Sequence, residues 1–333
     1  MAVVEKGPTQ VQEVLAKGPV PDPYPTLDIA RNDAARLEKI RQVRKLIDEK
    51  GIKYIFFQQV SVSGHVNGKG VAATQWEKVA EAGYHAVELV NEHKNFSKED
   101  YAKFRAKKSE LHLTVDATSG ISHSLCDSSQ RDAFLNEVRA KLPVLEELEC
   151  NKLIVLSGDK VPGQTPQQMH ENCIEGLKRA ADITAAKNVG LLLENIDPEE
   201  NPKYFLTSVS EGFEIVRSIG ASNVQFLYDF FHDQIAEGNL LAKLEKNLDL
   251  IGVVHIADVP GRHDPGTGEI NYPNIFRKLG QLGFNGYVAM EFIPEGETVA
   301  ALRAAREMAI KYGTAQRNQS AQSINPGRPH AAA

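Results

Sequence analysis

The chain has 333 residues, 42% of them hydrophobic and 25% charged, and carries a formal net charge of −6. That size and balance suit one large α/β domain with a deep core, and the absence of a dominant Lys/Arg run argues against a nucleic-acid partner. No apolar stretch approaches the ~20 residues of a membrane span, so no membrane partner is expected.

The opening MAVVEKGPTQ lacks the apolar core of a secretory signal. Cys126, Cys150 and Cys173 form an odd set without CxxC spacing, which fits a reducing compartment better than a disulfide framework or a thiolate metal site. The expected location is cytoplasmic. A homo-oligomer is allowed by the composition but not demanded by it.

Residues 1–26 are rich in Pro and Gly (KGPVPDPYP) and read as an extended arm. In the following stretch Leu37, Ile40, Val43 and Ile47 recur at helical spacing before Gly51, which predicts a surface helix with a glycine stop. Residues 1–52 are therefore read as arm plus helix.

From Lys53 the pattern changes. KYIFFQQV, HAVELV, LHLTVDA, KLIVLSG, VGLLLENI, VQFLYDFF, IGVVHIADV and GYVAMEFI make eight strand candidates. Helical stretches alternate with them at Thr74–Ala82, Lys98–Ser109, Gln130–Leu148, Pro166–Lys187, Val209–Ile219, Leu240–Leu248, Pro273–Leu282 and Thr298–Tyr312. Eight strands each followed by a helix predict a single (β/α)8 TIM barrel over 53–312, in the α/β class. No GxGxxG follows the first strand, so a dinucleotide site has no support. The tail, 313–333, is polar, rich in small residues and expected to be disordered.

Four of the strand candidates, the fifth to the eighth, end in one polar residue after an apolar run: Glu194, Asp229, His255 and Glu291. One such residue is a weak signal, since a strand-end carboxylate can simply cap the next helix. Four on consecutive strands would crowd three carboxylates at the mouth of a barrel, and a divalent cation relieves that repulsion. The set is hard and oxygen-dominated, which suits one Mn2+, Mg2+ or Co2+ ion. A cation held to adjacent oxygens of a small hydroxy-carbonyl substrate acidifies the C–H between them. Glu194 and Glu291 then serve both as ligands and as an acid/base pair acting through a cis-enediolate.

The stretch Ile251–Tyr272 opens from a buried strand into a Pro/Gly loop carrying Asp258, Arg262, His263 and Glu269. Arg262 can clamp a substrate oxygen through its planar fork, or pair with Asp258 or Glu269 to hold the loop. His232, three residues past Asp229, is placed to reach a substrate carbonyl, or is a surface histidine at a helix start; Glu200 is either a substrate contact or part of a solvated turn. The glycine-rich SVSGHVNGKG reads as a lid with His65 and Lys69, and Glu88 as a structural hydrogen-bonding group in the barrel.

From about Lys53 to Tyr312 the chain resembles the xylose-isomerase-like TIM barrel superfamily, and within it the hydroxypyruvate isomerase family. ADVPGRHDPGTGEINYP carries the resemblance most specifically, supported by ENIDPEENPKYFL, YDFFH and EGNL, with GYHAVELV the main match before residue 150. The resemblance implies a metal held at Glu194, Asp229, His255 and Glu291. It also implies an aldose–ketose type isomerase acting on a small acid, the hydroxypyruvate and tartronate semialdehyde pair.

Hydroxypyruvate isomerases tend to carry Gln where His255 stands, whereas ketose 3-epimerases carry His and also resemble this chain at Asp229, His232 and Arg262. A sugar-scale enzyme, such as a ketose 3-epimerase, an inosose-type dehydratase or an enzyme of oxidised glycosides, is thus the alternative. Endonuclease IV resembles the same superfamily, but its trinuclear site would need further histidines, of which His93 and His123 are the candidates. A barrel used only for binding would require the four-residue set to be accidental.

Overall fold

The computed structural model describes residues 59–60, 66–67, 76–90 and 92–313. The expected arm and first helix, most of the first strand candidate, the loop with His65 and Lys69, and the tail beyond Gly313 lie outside the described residues. The described end of the first candidate, β1 (Gln59–Val60), pairs antiparallel with β2 (Val66–Asn67) instead of joining the parallel sheet.

The other seven candidates form one parallel sheet in chain order: β3 (Ala86–Leu89), β4 (Thr114–Thr118), β5 (Lys152–Leu156), β6 (Gly190–Glu194), β7 (Val224–Asp229), β8 (Ile251–Ile256) and β9 (Tyr287–Met290). Helices intervene at α1 (Trp76–Glu81), α2 (Lys98–Glu110), α3 (Arg131–Leu148), α4 (Pro166–Ala185), α5 (Val209–Ile219), α6 (Phe230–Ala236), α7 (Leu240–Asn247), α8 (Tyr272–Gln281) and α9 (Thr298–Gly313). This is the alternation of a TIM-type barrel. No helix among the described residues is long and apolar enough to cross a membrane.

Strand parity decides where the chemistry points. Successive side chains alternate between faces, and Ile154, Leu192, Leu227 and Val253 pack together as an apolar layer with one residue from each of β5 to β8. Two residues further along, on the same inward face, come Glu194, Asp229 and His255. The outward residues, among them Leu191, Leu193, Phe226 and Tyr228, pack in the main core. The last polar residue of each strand is therefore directed to the mouth by the same alternation that buries its apolar neighbour.

One sequence expectation shifts here. VQFLYDFF reads as a continuous strand, but β7 stops at Asp229 because its carboxylate accepts from the backbone N–H of Phe231 and caps α6. Phe230 and Phe231 are thus helical.

Close packing between α5 and β7 requires Gly212. A Cβ there would lie 2.3 Å from the Phe226 ring, which is itself fully buried. Gly212→Ala gains about 1 kcal/mol of helix propensity against an overpacking cost of ~1–3 kcal/mol. We expect a net loss of stability, with a lower urea midpoint at unchanged m-value; an equal or higher midpoint would show that the Phe226 ring can move aside.

Candidate active site

Glu194, Asp229, His255 and Glu291 each offer one ligand atom, and these atoms lie within 4.8 Å of one another. Strand pairing explains the convergence: Glu194 sits across from Leu227, Asp229 across from His255, and the Glu291 N–H donates to the Ile256 carbonyl at 2.9 Å. His255 Nδ1 lies 2.6 Å from Glu291 Oε2 and 3.7 Å from Glu194 Oε1. Asp229 divides its work between its two oxygens, Oδ1 capping α6 and Oδ2 facing the site. The helix-cap reading of this strand-end carboxylate holds, and its second oxygen stays directed at the cluster.

Behind His255 stands Glu88, whose Oε2 accepts from Nε2 at 2.8 Å. This is the barrel hydrogen bond expected of Glu88, and its partner is the one imidazole of the cluster. The bond fixes hydrogen on Nε2 and turns Nδ1 toward the carboxylates. Burial lowers the His255 pKa, but Glu88 and Glu291 outweigh it and the result lies well above the ordinary histidine value. Asp116, on the neighbouring β4, is raised to about 7 by burial and by the charge of Glu88. Glu88, Asp116, His255 and Glu291 border a cleft of about 620 Å3 that follows β3 and β9, the outermost strands of the sheet among the described residues.

Arg262 comes from the loop after β8 and enters the same cluster. Its Nη2 lies 3.0 Å from Glu291 Oε2 and 3.3 Å from Asp229 Oδ2, its Nη1 2.7 Å from Glu200 Oε2, and its Nε donates to the Glu291 carbonyl at 3.2 Å. The expected loop partners, Asp258 and Glu269, are not its partners; the site carboxylates present a stronger negative field. Burial opposes the Arg262 charge, yet Glu291, Asp229 and Glu200 hold its pKa above even the usual guanidinium range. The Phe231 ring covers the guanidinium at 4.8 Å.

Asp258 instead organises the loop. It is fully buried and accepts from the N–H groups of Val259, Gly266 and Ile270 at 2.9, 2.7 and 3.0 Å. Arg262 has φ +58°, a conformation costing about 1 kcal/mol or more outside glycine. The Asp258–His263 backbone pairing and the Ile293 N–H bond to the Arg262 carbonyl hold it there. His263 does not face the cluster; its Nδ1 bonds the Ile293 carbonyl at 2.9 Å.

His232 is wholly buried, not a surface residue. Its Nδ1 lies 2.6 Å from Asp197 Oδ2, and its Nε2 faces Arg262 Nη1 at 3.4 Å and Asp229 Oδ2 at 3.6 Å. Glu200 keeps a third of its side chain exposed beside them. Burial would raise the Asp197 carboxyl, but the His232 hydrogen bond leaves its pKa below the usual value.

Asp197 was not singled out in the sequence, because ENIDPEEN reads as a turn before and after Pro198 and its partner stands 35 positions away. His93 and His123 join neither acidic group: His93 packs against Lys141 and Thr118, and His123 pairs with Glu137.

The family model described as the xylose isomerase-like TIM barrel matches residues 76–311. The chain belongs to that family. It is 30% identical over 233 residues to the hydroxypyruvate isomerase of Escherichia coli, covering 69% of this chain and 90% of that one. A 2-oxo-tetronate isomerase of Cupriavidus necator is 39% identical over a shorter match, 39% of this chain and 50% of the relative. A solved Brucella melitensis structure described as an AP endonuclease of family 2 superposes with a TM-score of 0.64 at 28% identity, covering 69% of this chain and 90% of that one.

The donor set fits a hard divalent cation. Ligand atoms about 2.0–2.6 Å from such an ion stand at most roughly 5 Å apart, and these four lie within 4.8 Å of one another. The carboxylate behind a histidine ligand typically contributes 10- to 100-fold to metal affinity. Glu88→Gln is therefore expected to weaken Mn2+ binding by about that factor while the far-UV spectrum stays unchanged. Calorimetric titration of metal-stripped protein reads this directly, and equal affinity in the two proteins would reduce Glu88 to a packing contact.

Proposed function

We propose that the chain is a metal-dependent isomerase of short hydroxy-keto acids, interconverting a hydroxy-ketone acid of the hydroxypyruvate type with its hydroxy-aldehyde isomer. The observation that carries this reading is the convergence of Glu194, Asp229, His255 and Glu291 beside a buried arginine. The names of the Escherichia coli and Cupriavidus necator relatives support the reaction class and substrate scale. A divalent ion held by the four residues supplies Lewis-acid stabilisation of the charge that develops on the substrate oxygens.

The chain's own groups do the rest. One glutamate of the Glu194/Glu291 pair takes a proton from the hydroxymethyl carbon; the C–H electrons form the carbon–carbon double bond, and the carbonyl π electrons move to oxygen. A proton returned to the former carbonyl carbon, with the hydroxyl proton moving from one oxygen to the other, completes the isomerisation without net gain or loss of atoms. His255, held by Glu88, presents Nδ1 to both glutamates, 2.6 Å from Glu291 Oε2 and 3.7 Å from Glu194 Oε1.

Arg262 and His232 are the substrate-side groups. The guanidinium donors are all directed at protein acceptors, and Glu200 is the exposed member among them. Rotation of Glu200 toward solvent frees Nη1 for a substrate oxygen, which makes Glu200 the group that a bound acid displaces or hydrogen-bonds. The four-residue set and the Asp197, Glu200 and His232 set are the two candidate metal groups among the described residues. Arg262 contacts members of both sets, and neither set includes His93 or His123. The further histidines of a trinuclear nuclease site are thus not supplied by His93 or His123.

Hydrogen exchange from D2O, followed by NMR in metal-reconstituted protein, tests the reading on hydroxypyruvate, a 2-keto-tetronate and free ketoses. We expect exchange with the acids; exchange confined to the ketoses would transfer the same machinery to a sugar epimerase. Glu194→Gln and Glu291→Gln are each expected to abolish exchange in folded protein, and persistence in either removes that residue from proton transfer. Arg262→Ala should raise KM for the acids at least about tenfold more than for neutral substrates; equal effects would make Arg262 a loop anchor.

A further inference from the structure

We propose that Asp197 is the positioning residue for the substrate-facing side of the site. One oxygen of its carboxylate sets which nitrogen of His232 carries hydrogen, and the other holds the turn that presents Glu200. The proposal rests on the reading that Glu200, His232 and Arg262 meet the substrate.

Asp197 and His232 are both 0% exposed, so neither can exchange its partner for water. Asp197 Oδ2 lies 2.6 Å from His232 Nδ1. The Asp197 backbone N–H is also 3.3 Å from that nitrogen, but a carboxylate oxygen and a bare nitrogen lone pair repel at 2.6 Å. Hydrogen must therefore sit on Nδ1, with the longer N–H contact the subordinate one. The consequence is geometric: Nε2 is the nitrogen left to face outward, 3.4 Å from Arg262 Nη1 and 4.0 Å from Glu200 Oε2.

The second oxygen has a different task. Asp197 Oδ1 accepts from the N–H groups of Glu199 and Glu200 at 2.8 and 2.9 Å, and the Asn201 N–H closes the turn onto the Asp197 carbonyl at 3.1 Å. An Asp before Pro is common as a turn cap, and Oδ1 alone would satisfy that role. Oδ2 is not needed for the turn, so its burial against an imidazole is what marks Asp197 as more than a cap. One side chain thereby sets two of the groups around Arg262, and it does so without touching the substrate.

The division between the oxygens makes the roles separable. Asp197→Asn keeps an amide oxygen for the turn but turns an NH2 group toward Nδ1, which favours the opposite His232 tautomer. Asp197→Ser still caps the turn and is too short to reach the ring. With diamagnetic Mg2+ bound and the histidines 15N-labelled, NMR is expected to show hydrogen on His232 Nδ1 in the unsubstituted protein and on Nε2 alone in Asp197→Asn.

In both variants kcat/KM for the acid substrate should fall at least about tenfold, a typical scale for losing the group that orients a histidine, while Mn2+ affinity stays within about threefold. A bare Nδ1 in the unsubstituted protein overturns the proposal whatever the variants do, including a failure to fold. So does kcat/KM within threefold in both variants, or a parallel tenfold loss of Mn2+ affinity. His232→Ala and Arg262→Ala separate the two levels: activity lost in these but kept in Asp197→Asn rejects Asp197 alone, whereas activity kept in all rejects the substrate-side reading itself.

Discussion

Negative charge gathered in a small buried volume is the condition that the rest of this site answers. Glu194, Asp229 and Glu291 converge at the barrel mouth with Glu88 just behind; Glu194 and Asp229 are buried, and Glu291 and Glu88 are only slightly exposed. Carboxylates in such a setting either take up protons or find cations. Here the compensation is built in: His255 lies between Glu88 and Glu291, and Arg262 reaches Glu200, Asp229 and Glu291. A divalent ion would complete that balance, and the same cationic surroundings would favour the anionic form that the proposed reaction develops on its substrate.

The arginine reaches the cluster because of a loop that contains little secondary structure. ADVPGRHDPGTGE folds around the Asp258 carboxylate, whose three N–H partners replace the ladder a strand would have offered. Gly268 is required for that turn, since a Cβ would stand 2.0 Å from the Val259 carbonyl oxygen. Strain at Arg262 is held in place by backbone pairing on both sides. Fold and site meet at this point: the loop costs local strain, and the return is a guanidinium aimed into the barrel without a helix or strand beneath it.

The parts of this arrangement visible in the sequence are those governed by period. Alternation along LLLEN, LYD and VVH put Glu194, Asp229 and His255 on the inward face, and the limits of α2 to α5 and α7 to α9 differ from expectation by only a residue or two, whereas α6 was not expected as a helix. The hidden parts depend on partners far apart in the chain. Glu88 and His255 are 167 positions apart, and Asp197 and His232 are 35 apart; no local pattern encodes either pair. Arg262 was legible as a site residue but not in its partners, because a loop of Pro and Gly gives no periodicity from which to aim a side chain. The FF of YDFFH misled in the opposite direction: two aromatics extend the look of a strand, while one capping carboxylate starts a helix.

The tethering of Arg262 has a consequence for how small a ligand this site can recognise. A three-carbon keto acid has about seven non-hydrogen atoms, and even excellent small ligands gain at most ~1.5 kcal/mol per atom. The whole binding free energy of such a molecule is therefore at most about 10 kcal/mol, and any ordering of an arginine loop on arrival would be subtracted from it. With the guanidinium already seated against Glu291 and Asp229 and roofed by Phe231, that ordering is completed during folding. The folding free energy of the barrel thereby spares a ligand of the proposed size the cost of ordering that arginine.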